Sequence, residues 1–148
     1  MTRIRNCYVP EDLYYAVAQH VWARPLGAGR VRLGLTSAGY AVLLNSVVAV
    51  DLQEGSLGQP VQKGRSIAMI ESMKYIGPVA APFSGVLLCS NPAVEADPEL
   101  AMRDPYGEGW IAEMAPDDWE SAAAEMLTGE AAVAAYRSLL ETLNLSCD

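Results

Sequence analysis

Lys74 has the setting that most invites covalent chemistry. It lies in the tight connection Ser72-Met73-Lys74-Tyr75, between the strand-like runs Ser66–Glu71 and Ile76–Ala80. That places it at or near a hairpin tip. An accessible lysine with a long flexible stem suits attachment of a group that must sweep between partners. A solubilising turn lysine is the alternative, because exposure is ordinary for lysine. Other chemistries are restricted by counts. The chain has one histidine, His20, so it cannot build a metal site from several imidazoles, and no metal ligand is assigned. His20 reads as a packing residue. No Ser or Cys stands in a recognisable nucleophile motif, so no catalytic residue is assigned either. Cys7, Cys89 and Cys147 are far apart and form no Cys-x-x-Cys pair. They read as buried or incidental free thiols, as expected in a reducing cytosol.

The elements that must position Lys74 come from a chain of ordinary single-domain size, 148 residues with 51% hydrophobic content. Its net charge of −8 argues against nucleic acid, whose phosphates need clustered Lys and Arg. No apolar run reaches the length of a membrane span. The basic N-terminus has no apolar stretch behind it, so no signal peptide is expected. A cytoplasmic monomer without membrane or nucleic-acid partners is the expectation.

Residues 21–24 and 30–35 read as a hairpin turned at residues 25–29. A short helix over residues 37–44 follows, capped by Thr36. Strands are expected at residues 46–52, 66–71, 76–80, 82–88 and 110–114, with a helical turn at 98–103. A helix starts at Pro116-Asp117-Asp118-Trp119. Another spans 130–143, with Ala131, Ala134, Ala135, Leu139 and Leu143 at core spacings. Trp22 and Trp110 are expected as core anchors, and Tyr14, Tyr15 and Tyr75 at the surface. The fold class is mainly β: a flattened antiparallel barrel or sandwich with helices at the C-terminus. Residues 1–15 form a lead-in, 16–115 the β domain, and 116–148 a helical segment packed on it.

Several ordered motifs carry a resemblance. Ile70-Glu71-Ser72-Met73-Lys74, followed by Ala81-Pro82-Phe83-Ser84-Gly85-Val86, resembles the lipoyl-attachment segment of the glycine cleavage H protein family. Asp104-Pro105-Tyr106-Gly107-Glu108-Gly109-Trp110 is similar to another signature of that family, as are Asn91-Pro92-Ala93-Val94 and Asp97-Pro98-Glu99-Leu100. His20-Val21-Trp22 stands where the family usually has His-Glu-Trp.

The resemblance implies a lipoyl-type β domain and a carrier rather than an enzyme, with lipoic acid amide-linked to Lys74. Glu71 would help present the lysine to a lipoate ligase or lipoyl transferase, and Tyr75 would flank the arm. Gly85 would let the returning strand turn, through a positive φ. Met73 and Tyr75 depart from the family's usual Val and Ala. Met before the lysine is a biotin-carrier habit, but Tyr75 replaces the Met expected after it there. Tyr75-Ile76-Gly77-Pro78 and the N-terminal segment from Cys7 to Tyr15 look like the H-protein relatives of sulfur oxidation. Those serve a cytoplasmic heterodisulfide-reductase-like complex. The expected cargo is then a sulfur species. An aminomethyl group passed among glycine cleavage enzymes is the alternative, and a biotin carrier or an unmodified adaptor stands behind both.

Overall fold

A computed structural model describes residues 2–148. An N-terminal ribbon, β1 (Thr2–Ile4) and β2 (Cys7–Val9), pairs only with itself. Arg5 and Asn6 both have positive φ at its turn, as a two-residue hairpin loop favours. A seven-stranded antiparallel sheet contains β3 (Tyr14–Ala16), β4 (Val21–Gly27), β5 (Arg30–Leu35), β7 (Pro60–Val61), β10 (Gly85–Ser90), β11 (Ala112–Pro116) and β12 (Leu127–Thr128). Its order is β12-β3-β4-β5-β11-β10-β7. A second sheet holds β6 (Ala49–Asp51), β8 (Ser66–Glu71) and β9 (Ile76–Ala80), in the order β6-β8-β9. The fold is mainly β and antiparallel with a C-terminal helix. The sheets stay open, so no closed barrel forms.

Alternation along β4 explains the two cores. Val21 and Ala23 face the three-stranded sheet and join Leu33, Ile67, Ile70, Val79 and Leu87 in the larger core. Trp22, between them, faces the other way into a second core with Leu13, Tyr15, Ala132 and Tyr136. Both faces of the large sheet are therefore buried around β4. The second core packs under α1 (Ser37–Val42) and α5 (Gly129–Leu143), with the ribbon beside them. Thr36 Oγ1 caps α1 by accepting from Gly39 N–H at 3.0 Å.

Several sequence expectations are corrected. β10 begins at Gly85, so residues 82–84 lie outside it. β11 begins at Ala112, after Trp110, and Trp110 is only half-buried. A short helix, α2 (Pro92–Ala96), stands where a plain break was expected, because Pro suits a first helical position and the Asn91 side chain caps it. The helices expected at 98–103 and from 116 follow as α3 (Pro98–Arg103) and α4 (Trp119–Glu125), the latter capped by Asp118.

The face of α5 differs too. Its buried residues are Ala132, Tyr136 and Leu140, whereas Ala131, Ala134 and Leu143 are exposed. The Tyr136 ring meets Tyr15 edge-on at 5.5 Å, and that contact fixes the helix rotation. Tyr15, expected at the surface, is buried and donates its hydroxyl to Pro10 O at 2.5 Å. Cys7 and Cys147 are not free thiols: they form a disulfide across a sequence separation of 140. Sequence distance hid it, because the ribbon and the end of α5 share one core. Cys89 remains free.

Candidate functional site

β8 and β9 pair in antiparallel register with Glu71 opposite Ile76. Met73 and Lys74 form the tip between Ser72 and Tyr75. Two-residue hairpin loops usually need left-handed residues, yet neither Met73 nor Lys74 has a positive φ. Ser72 solves this with its side chain. Its backbone N–H donates to Tyr75 O at 2.7 Å, and its hydroxyl donates to the same oxygen at 3.1 Å. The hydroxyl also accepts from Tyr75 N–H at 3.0 Å. Ser72 is buried beneath the tip, and Ser46 Oγ accepts from Met73 N–H at 3.1 Å on the flank. The two serines hold the loop while the Lys74 side chain stands exposed.

The surroundings are apolar. Met73 is 82% exposed, Ile76 67% and Tyr75 52%. A cleft of about 290 Å³ opens beside the tip, lined by Leu43, Leu44, Ser46, Met73 and Lys74. Leu44 and Asn45 both have positive φ, so the chain leaving α1 turns sharply and aims Leu44 outward. Glu71 is exposed at the end of β8, where it lines a separate shallow pocket with Asp51 and Ile76. Lys74 and Glu71 form no ion pair among the described residues. Lys63, the other lysine, is bound to Glu125 at 2.7 Å.

The sequence-assigned residues Lys74, Glu71 and Tyr75 thus share one hairpin end. Ser72, Ser46, Leu43 and Leu44 were missed. A two-residue loop with no Gly, Asn or Asp was the available signal for Ser72. Gly85 does not have a positive φ. A Cβ there would meet Ala115 O at 2.2 Å, so the residue is small because β10 and β11 approach closely.

His20 lies away from the tip's hydrogen bonds. It ends a short turn with φ 60°, its Nδ1 has no partner, and burial lowers its pKa. Elsewhere, Glu113 bridges Arg30 at 2.7 Å and Arg32 at 2.9 Å. Burial alone would raise its carboxyl, but the two guanidiniums outweigh this and hold it below the ordinary value. Among the described residues no group of His, Cys, Asp and Glu could hold a metal ion, and no helix is long and apolar enough to cross a membrane.

Residues 13–138 match the family model described as Glycine cleavage H-protein. The chain is 34% identical over 143 residues to glycine cleavage system H protein 2 of Aquifex aeolicus, covering 97% of this chain and 87% of that one. It is 35% identical over 149 residues to a probable glycine cleavage system H protein 2 of Sulfurisphaera tokodaii, covering 99% and 98%. The glycine cleavage system H protein of Thermus thermophilus is 40% identical over 110 residues, covering 74% and 82%. The crystal structure of a glycine cleavage system H protein from Mycobacterium marinum superposes with a TM-score of 0.72 at 32% identity, covering 88% of this chain and 99% of that one.

Proposed function

We propose, on the premise that this chain belongs to the glycine cleavage H-protein family, that Lys74 is its lipoyl-attachment residue. Proteins of this family are carriers and not catalysts, and they bear lipoic acid covalently on a lysine. One observation supports the assignment above the others: Lys74 is exposed, and unpaired among the described residues, at a braced hairpin tip beside an apolar cleft. Lys63 is tied to Glu125 instead.

The surroundings fit such a group. Amide formation removes the lysine charge, so no ammonium is desolvated when the arm lies along Leu43, Leu44 and Met73. Ser72 and Ser46 fix where the arm leaves the protein. Glu71 gives the tip an acidic edge for a ligase or transferase to recognise. Bound lipoic acid supplies a dithiolane whose sulfurs open to hold a transferable fragment.

For the partners, the reading is delivery of a sulfur species to a heterodisulfide-reductase-like complex. It is supported by the resemblance of the segment from Tyr75 to Pro82 to carriers of that kind, and by the exposure of Tyr75 and Ile76 beside the lysine. Passage of an aminomethyl group among glycine cleavage enzymes is the second reading, favoured by the family of the relatives.

Peptide mass mapping after co-expression with a lipoate ligase tests the site. We expect one adduct, on Lys74, and none in Lys74→Arg; an adduct on Lys63, or none in the parent, overturns the assignment. A biotin adduct would point to the other carrier class, and no adduct to an adaptor. Glycine–bicarbonate exchange beside an authentic H protein tests the partners. Slow exchange is expected, and equal exchange replaces the sulfur reading with the glycine one.

A further inference from the structure

We propose that the Cys7–Cys147 disulfide is a thiol–disulfide exchange site whose state sets the wall of the cleft beside Lys74, a role that depends on the carrier reading of Lys74 for its consequence but not for its chemistry. Cys7 begins β2 and is fully buried. Cys147 follows α5 and is half-buried. It stands in the wall of a surface pocket of about 280 Å³, with Asn6, Tyr8, Asn45 and Arg103. An incoming thiolate therefore meets Cys147 Sγ first.

The tail is stitched to its surroundings on two sides. Cys147 N–H donates to Arg5 O at 3.0 Å, and the Asn6 amide donates to the Asp148 carboxylate. On the other side, Asn45 Nδ2 donates to Ser146 O at 2.9 Å. Asn45 belongs to the turn that carries Leu43 and Leu44 into the Lys74 cleft. The next residue, Ser46, accepts from Met73 N–H at the lysine tip at 3.1 Å. Residues 43–46 thus bear the tail on one side and the Lys74 hairpin on the other. Leu44 and Asn45 sit in the left-handed region. That conformation is unfavourable for Leu and persists where the surroundings hold it. The Asn45–Ser146 bond is part of that hold, and the disulfide keeps Ser146 in place.

The exchange uses a dithiol as reductant. One of its thiolates attacks Cys147 Sγ, the S–S bond breaks, and Cys7 leaves as a thiolate and takes up a proton. The reagent's second thiolate then attacks its own sulfur in the mixed disulfide and releases Cys147, which takes up the other proton. The protein disulfide is reduced to two thiols while the dithiol is oxidised to a disulfide. With the tail free, the Asn45 strut is lost and the Leu43–Leu44 wall relaxes. Reoxidation restores it.

The test is hydrogen exchange with mass spectrometry on the unmodified chain, oxidised and then treated with dithiothreitol. A Cys89→Ser background makes thiol trapping report on Cys7 and Cys147 alone. The oxidised chain should trap no thiol and the reduced chain two. Reduction should lower protection at residues 42–46 and 72–75 by at least about tenfold, while β4, β5 and β11, less protected as global stability falls, remain the slowest segments to exchange. Oxidised Asn45→Ala should reproduce the loss at 42–46 with the disulfide intact. Free thiols in the oxidised chain overturn the proposal, as does a disulfide that resists dithiothreitol in the folded state. So does loss of protection confined to residues 2–9 and 144–148. If reduction unfolds the chain, Asn45→Ala decides alone, and unchanged protection there overturns the proposal. Because no lipoyl group is needed, failed lipoylation with this response intact would strike only the carrier reading.

Discussion

Ser72 is one hydroxyl serving as donor and acceptor in a four-residue turn. Ser72→Ala should cost about 1 kcal/mol by urea unfolding, the usual net worth of such bonds. It should also slow lipoylation of Lys74 several-fold, because the tip loses its fixed exit direction; an unchanged rate would show that the ligase reshapes the turn itself. His20 carries a pH dependence. Burial lowers its folded-state pKa below the ordinary 6.5, so the unfolded chain binds the proton more readily. Its contribution to stability is complete above pH 6.5 and is lost as pH falls toward the lower folded value. His20→Asn, which tolerates the left-handed backbone there, should flatten the decline in unfolding free energy as pH falls below the ordinary histidine value. At this scale Lys74 was legible because its type and its flanking strands both pointed to it. Leu43 and Leu44 were not, since nothing local to residues 37–46 shows that their turn lies against a tip thirty residues later in the chain.

The β8–β9 hairpin was legible to the residue: Ser66–Glu71 and Ile76–Ala80 are compact runs set apart by a short polar break. The rotation of α5 was not. Alanines occupy both faces of that helix and discriminate neither, and the deciding residue, Tyr136, is a large ring that only Tyr15 explains. The need for Gly85 was legible, but the reason differs. With no positive φ, replacement fails by collision with Ala115 O. Gly85→Ala should therefore cost about 3 kcal/mol, as overpacking against backbone does, and Val still more. A turn demanding positive φ would penalise both through the backbone and let Asn rescue part of the loss; Asn here should rescue nothing. Urea unfolding of the three variants separates the two causes.

Across the whole molecule, the disulfide constrains the unfolded chain over nearly its full length. With a sequence separation of 140 between the cysteines, loop-closure entropy suggests a stabilisation of roughly 5 kcal/mol. Reduction should shift the urea midpoint downward accordingly; a loss of unfolding free energy under about 1 kcal/mol would mean that the reduced ensemble keeps its ends together. The charge and hydrophobic pattern of the chain contained no hint of this pairing, because the meeting of ribbon and tail is a property of the second core.

Joined at Cys7 and Cys147, the backbone between them is topologically a ring. A single protease cut between those cysteines opens the ring without dividing it, so a nicked chain migrates as one covalent species until a thiol is added. The same closure makes one internal break tolerable. Residues 53–59, a mostly exposed stretch between β6 and β7, suit such a break while the bridge keeps the two pieces together.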